Sequence, residues 1–263
     1  MQLFTPVALP PAPFRLTPAS RVLTLGSCFA QHIGQHIAAA LPDGHALVNP
    51  FGPLYAPQVI AHHLRLLLDT APLPDATYFE GVEGMWHNRW FSTHVSSAEL
   101  ATCRRLTTTA LDAARYLLRR ADMLVLTLGT DRCYRLPDGR LVANCHKQPA
   151  AAFTEHTADV ETLTSDLRCA LDSLRALRPE LQVVWTVSPY RYAKYGLHAS
   201  QLAKARLLLA VDALCATDER SVYFPAYELL LDELRDYRYY ARDLLHPSDT
   251  AVELIGERFA DWC

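Results

Sequence analysis

Short runs that are apolar on both faces recur along the chain: "VLTL" at Val22–Leu25, "MLVLTL" at Met123–Leu128 and "VVWTV" at Val183–Val187. Each is bounded by Gly, Ser, Pro or a charged residue and is too short for a helix. Such runs predict strands covered on both sides, as in a parallel sheet. "HALV" at His45–Val48 and "SVYF" at Ser221–Phe224 read as two shorter strands of the same kind. The segments between them carry a different period. Phe29, Ile33, Ile37 and Leu41 recur every fourth residue and make one helix face. Helices are also predicted over Pro57–Leu68, Glu99–Arg120, Asp159–Arg178, His198–Ala216 and Thr250–Phe259. Thr250 with Glu253 fits a capping box for the last one, and Ser248 fits equally as its cap. Strands alternating with helices predict an α/β domain with a doubly wound, mostly parallel sheet.

Three segments depart from that alternation. Residues 1–20, "MQLFTPVALPPAPFRLTPAS", are rich in Pro and read as an extended surface arm. The region of about 73–97 contains "YFEGVEGMWHNRWFSTHVSS", whose aromatics, His and Gly breaks predict an insertion of irregular or hairpin form. At about 131–147, Pro-Asp-Gly between two alternating segments predicts a hairpin. Residues 21–263 are otherwise expected to form one domain.

Composition narrows the function classes. Half of the 263 residues are hydrophobic, enough for one large core. The net charge of −3, with signs interspersed, gives no basic stripe for nucleic acid. Charges interrupt every apolar run before the ~20 residues a membrane span requires. The N-terminus lacks a basic start and an apolar stretch, so no signal peptide is expected. Seven cysteines, an odd number without C-x-x-C spacing, argue against a disulfide framework or zinc cluster. A reducing, cytoplasmic setting is therefore expected, with no metal and no cofactor. His32 and His36 have a spacing that could hold a metal, but no E-x-x-H accompanies them, and a solvated or interfacial face is the expectation. His62, His63 and His87 are expected to be structural or at the surface. Nothing in the sequence speaks to oligomeric state.

In parallel sheets ligands collect at the carboxyl ends of the strands. "GSCFA", "NPFG", "GTDR", "SPYR" and "DLLHPS" follow or approach those ends. Ser27 ends the first strand and precedes a helix, where free N–H groups and the helix dipole favour a forming oxyanion. Gly26 permits the bend. A serine needs a base, and the base needs an acceptor to orient it. Asp243 and His246, three positions apart before the last helix, supply both. Cys28 is the rival nucleophile. Neighbouring residues at a turn point in different directions, so Cys28 is expected to pack beneath the helix.

"GSCFA" at Gly26–Ala30 occurs with "NPFGPLY" at Asn49–Tyr55, "TLGT" at Thr127–Thr130, "VANCHK" at Val142–Lys147, "TVSPYR" at Thr186–Arg191 and "HPS" at His246–Ser248. In this set and order the chain resembles the GSCFA family, a branch of the SGNH (GDSL-type) hydrolases. The resemblance implies a flavodoxin-like three-layer α/β/α sandwich with a five-stranded sheet. It implies Ser27 as nucleophile with Asp243 and His246. Its oxyanion hole pairs a Gly with an Asn, and Gly52 is the candidate for the Gly. At the third block, "GTD" over Gly129–Asp131 puts an acid where the Asn would stand. Asn49 or Asn144 then supplies the donor, or the hole is weakened. Gly129, at the end of the third predicted strand, "MLVLTL", is a further candidate. Asn144 or His146 is expected to reach the cleft, and Arg191 either holds a substrate anion or makes a structural ion pair. The Tyr-rich "LRDYRYYARDLL" is expected at the surface or as a wall of the site.

The reading that follows is a serine esterase acting on small O-acyl esters of the acetyl type, on carbohydrate or another small molecule. The alternatives are an O-acyltransferase using the same triad and a binding module with an impaired oxyanion hole, for which Asp131 is the best support.

Overall fold

The computed structural model describes residues 5–12 and 14–263. The first four residues of the Pro-rich arm, and residue 13, lie outside the described residues. The chain runs through β1 (Val22–Gly26), α1 (Cys28–Ala40), β2 (Ala46–Val48) and α2 (Pro57–Leu68). A small hairpin of β3 (Tyr78–Glu80) and β4 (Trp86–Asn88) follows, then α3 (Leu100–Leu118) and β5 (Met123–Leu128). β6 (Arg132–Arg135), β7 (Leu141–Val142) and β8 (Thr154–Thr157) form a separate antiparallel sheet. The chain closes with α4 (Val160–Leu177), β9 (Gln182–Val187), α5 (Leu197–Cys215), β10 (Ser221–Tyr223), α6 (Ala226–Glu228) and α7 (Asp249–Trp262).

The main sheet is five-stranded in the order β10-β9-β5-β1-β2, with every pair parallel. Numbered by its own strands this is the 2-1-3-4-5 order of a flavodoxin-like sheet. Both faces are covered because side chains alternate along each strand. Leu23 and Leu25 of β1, Leu124 and Leu126 of β5, and Val183 and Trp185 of β9 enter one core, under α2, α3, α4 and α5. Val22, Met123, Val125 and Val184 point the other way and meet Phe29, Ile33 and Ile37 of α1 and Ile255 and Phe259 of α7. Each such fully buried side chain contributes about 1.5–3 kcal/mol. The expected three-layer α/β/α sandwich is therefore what forms.

The arm lies against the second core. Val7, Leu9, Phe14 and Leu16 pack there, Leu16 N–H donates to Cys263 O at 2.6 Å, and Trp262 Nε1–H donates to Pro10 O at 2.6 Å. Two local features differ from the sequence expectation. β8 extends the hairpin to three strands, although its "TEHT" is polar and offers no apolar alternation. α6 continues into a π-helical turn over Leu229–Leu234, which the sequence reading missed. Of the two expected caps for α7, Ser248 is the one used, its Oγ accepting from Ala251 N–H at 3.3 Å.

Candidate active site

The order of the sheet reverses between β1 and β5, and their carboxyl ends are the switch point where ligands bind in such folds. Gly26 ends β1 there at φ +144, with the place of a Cβ occupied by Thr127 O at 2.3 Å. Only glycine fits so close to β5. Ser27 follows as the N-cap of α1, extended at φ −60 and ψ 174, its Oγ accepting from Phe29 N–H at 3.3 Å. Ser27 is only 1 % exposed, so its hydroxyl faces a cavity rather than bulk water.

That cavity measures about 310 Å³. Ser27, Cys28, Gly129, Asn144 and His246 all line it, with Tyr55, Ser188, Tyr190 and Tyr192. His246 sits at its mouth, its side chain 48 % exposed and its ring 4.4 Å from that of Tyr190. His246 Nδ1–H donates to Asp243 Oδ2 at 2.5 Å. Asp243 Oδ1 accepts the backbone N–H groups of Leu245 and His246, each at 3.0 Å. The His246 N–H above all, then its imidazole and the Leu245 N–H, hold the Asp243 carboxyl well below the usual carboxylate range. With Nδ1 engaged, Nε2 is the nitrogen left to take a proton. Among the described residues, Ser27 Oγ and His246 share no hydrogen bond.

Asn144 is on the cavity wall, and Asp131 is not. Asn144 Oδ1 accepts His146 N–H at 2.7 Å, which leaves its Nδ2 amide as a donor at the cavity. Asp131 is 0 % exposed and ion-paired with Arg206 at 2.7 Å, with Arg132 at 3.9 Å. The acid in "GTD" thus neutralises a cation from α5. It does not line the cavity.

Four other expected residues do not reach the cavity. Asn49, at φ +43, holds the turn from behind: its N–H donates to Thr24 O at 3.0 Å and its Nδ2 to Ser27 O at 3.2 Å. Gly52 donates its N–H to Asn49 O at 2.8 Å, so that group is not free for an oxyanion. At φ +75, a Cβ there would strike Ser92 Oγ at 1.9 Å, so Gly52 serves packing. The Ser27 N–H is likewise spent on Thr127 O at 3.0 Å. His146, at φ +48, lies behind Asn144 against the His87 ring at 4.5 Å and the Phe79 ring at 5.4 Å. Burial, with His87 nearby, pushes its imidazole down to about 4. Arg191 clamps the loop of Asp243 and His246: its backbone N–H donates to Leu245 O at 2.9 Å and its Nη1 to Leu244 O at 3.3 Å.

Cys28 differs from its expectation. It is half-buried and lines the cavity beside Ser27, because the first helical residue also faces the strand ends. Burial raises its thiol, which opposes the thiolate a cysteine nucleophile needs. Of the α1 N-terminal N–H groups, those of Ser27, Phe29 and Ala30 have partners at 3.0, 3.3 and 2.9 Å. Among the described residues, the Cys28 N–H has no oxygen partner at the helix mouth.

The sequence reading also missed Lys204. It is 1 % exposed and spans the ends of β5 and β9, donating to Gly129 O and Ser188 O, both at 2.7 Å. Burial pushes its ammonium down to about 7, against the pull of Cys28 and Asp131. A signal existed: Lys204 falls on the same helical stripe as Ser200, Ala203, Leu207 and Val211, all buried. At the rim, Glu155 accepts from Tyr134 Oη at 2.8 Å and from Tyr195, and pairs with Arg132 at 2.7 Å. Burial alone would raise Glu155, but Tyr195, Tyr134 and Arg132 bring it down to about 2.

All seven cysteines are free. Among the described residues, no group of three or more His, Cys, Asp or Glu side chains is placed to hold a metal ion. No described helix is long and apolar enough to cross a membrane.

The solved structures similar to this chain include a carbohydrate esterase family 3 protein from Talaromyces cellulolyticus. It is 10% identical, with a TM-score of 0.42, over 92% of this chain and 95% of that one. Another is an acetyl xylan esterase from the rumen bacterium Butyrivibrio proteoclasticus, 13% identical with a TM-score of 0.41, over 95% of this chain and 64% of that one. A family two carbohydrate esterase from Clostridium thermocellum, in complex with cellohexaose, is 12% identical with a TM-score of 0.39, over 95% and 64%. No curated protein matches the sequence. The model of the GSCFA family matches residues 21–259, nearly the whole chain, and the protein belongs to that family.

Proposed function

We propose that the protein is a serine esterase that cleaves O-acyl esters through an acyl-enzyme on Ser27. The observation that carries this reading is the shared cavity. Ser27 lies at its base, His246 at its mouth with Nδ1 bound to Asp243, and the Asn144 amide on its wall.

The steps follow from those positions. Ser27 Oγ releases its weak bond from Phe29 N–H and gives its proton to His246 Nε2 as it attacks the ester carbonyl. Asp243 keeps the imidazole in the required tautomer and stabilises the imidazolium. The oxyanion is met by Asn144 Nδ2, the Cys28 N–H and the positive end of α1. His246 then protonates the departing alcohol. Water, deprotonated by the same nitrogen, cleaves the acyl-enzyme and restores Ser27. An acceptor alcohol entering in place of water would give acyl transfer from the same intermediate.

The mouth of the cavity favours a polyhydroxylated alcohol such as a sugar. Tyr190 and Tyr192 offer ring faces there, and Arg132 and Tyr134 offer polar groups held by Glu155. Steady-state hydrolysis of p-nitrophenyl and acylated-sugar esters tests the proposal. Activity is expected in the wild type and a loss of at least about 10³-fold in both Ser27→Ala and His246→Ala. Full activity in either variant overturns it.

A further inference from the structure

The cavity is larger and more apolar than an acetyl ester requires, and its lining runs from half-exposed to fully buried. At one end His246 is half-exposed beside Tyr190. On the buried side of the lining, Ala56, Val59, Cys133 and Val142 are each no more than 3 % exposed, with Ala143 beside Val142 in the chain. Ala56 and Val59 come from the start of α2, while Cys133, Val142 and Ala143 come from the inserted β6–β7 hairpin.

The mechanism assigns the ends, and the assignment rests on the esterase reading above. His246 must hand its proton to the leaving oxygen, so the alcohol lies on the open side. The acyl chain, on the other bond of the carbonyl carbon, then points toward the buried side. Asn144 directly follows Ala143, so the hairpin that presents the oxyanion donor also forms the wall that the chain would meet. An acetyl group would place only a methyl there. An engineered apolar cavity of ~150 Å³ holds a benzene ring; this one has about 310 Å³. Against the buried apolar part of that lining, an acetyl methyl makes fewer contacts than a longer chain would.

We infer that the acyl group this site takes is a medium-length or aromatic one, of about four to eight carbons, seated between the first turn of α2 and the β6–β7 hairpin. Each methylene moved from water into the pocket is worth about fourfold in kcat/KM.

A series of p-nitrophenyl acetate, butanoate, hexanoate, octanoate and benzoate, run with wild-type protein, tests this. The expected result is a rise in kcat/KM of at least about tenfold from acetate to hexanoate, lost in Ser27→Ala throughout. In Ala143→Phe, which fills the buried end, the hexanoate-to-acetate ratio is expected to fall at least about tenfold. Val142→Phe is a second filling variant should the first not fold. Ser27-dependent hydrolysis that is fastest on acetate overturns the medium-chain inference and leaves the esterase reading standing. An unchanged ratio in the filled variants overturns the placement of the chain. No Ser27-dependent hydrolysis of any ester overturns both.

Discussion

Asn144→Asp isolates the oxyanion contribution with little disturbance to the fold. Asn144 Oδ1 accepts the His146 N–H at 2.7 Å. Aspartate keeps that acceptor and the turn that holds His146 at φ +48. What it loses is the amide donor at the cavity, and it adds a negative charge where one must develop. The size of the effect depends on how many donors remain. The N–H groups of Ser27 and Gly52 are bound to Thr127 O and Asn49 O, and those of Gly129 and Thr130 both to Tyr55 O. The Asn144 amide and the Cys28 N–H are left, so the variant removes one donor of two. A single donor is typically worth 10²–10³ in kcat, about 2.7–4 kcal/mol. With the added charge, a loss of about 10³ in kcat is expected, with KM within about threefold. Steady-state kinetics on an activated ester measures it, and a denaturant midpoint close to wild type shows that the turn survives. A variant that keeps more than a tenth of wild-type kcat refutes the assignment of Asn144.

Other substitutions separate structural from chemical roles. Asp131→Asn leaves Arg206, whose side chain is one-third exposed, without its buried partner, so unfolding free energy should fall by about 1.5–3 kcal/mol, while kcat of the folded fraction stays within about threefold. A collapse of kcat without loss of stability would give Asp131 a role in the chemistry. Arg191→Ala frees the Leu244 carbonyl and loosens the loop of Asp243 and His246; kcat should drop about tenfold with KM nearly constant, and equal drops in stability and kcat would argue against a positioning role. Lys204 titrates near 7 when folded and near 10.5 when unfolded. Between those values the unfolded chain binds the extra proton, so this group makes stability rise with pH by at most about 1.4 kcal/mol per unit. That component should be absent from urea titrations of Lys204→Met between pH 7 and 9, and an unchanged slope would contradict the assignment.

The fold was legible because its signals are redundant. Buried parallel strands cannot alternate with polar residues, so "MLVLTL" and "VVWTV" stand out without knowledge of their neighbours. Pro at its start and a continuous stripe placed α2 at Pro57–Leu68 to the residue. β8 escaped because "TEHT" is an exposed edge held by pairing with β6, and pairing leaves no hydrophobic period. The site was legible where local geometry dictates chemistry: a serine capping a helix after a strand, and a D-x-x-H whose carboxylate meets its own imidazole. It was illegible where the outcome depends on which way a side chain turns. Asp131 and Asn144 sit on neighbouring segments of one hairpin, yet one faces Arg206 in the interior and the other the cavity. Adjacent Ser27 and Cys28 both line the cavity because the strand-to-helix bend curves around it. Gly52 and Arg191 lie near the site in sequence motifs, but their hydrogen bonds go to the backbone that carries the site.

The assignment of Ser27 as the nucleophile is tested most directly by peptide mass spectrometry of the folded protein after reaction with a fluorophosphonate. The expected result is one adduct, on Ser27, formed by the wild type, absent from Ser27→Ala, and strongly slowed in His246→Ala. An adduct on Cys28, or none on the folded wild-type protein, would contradict it.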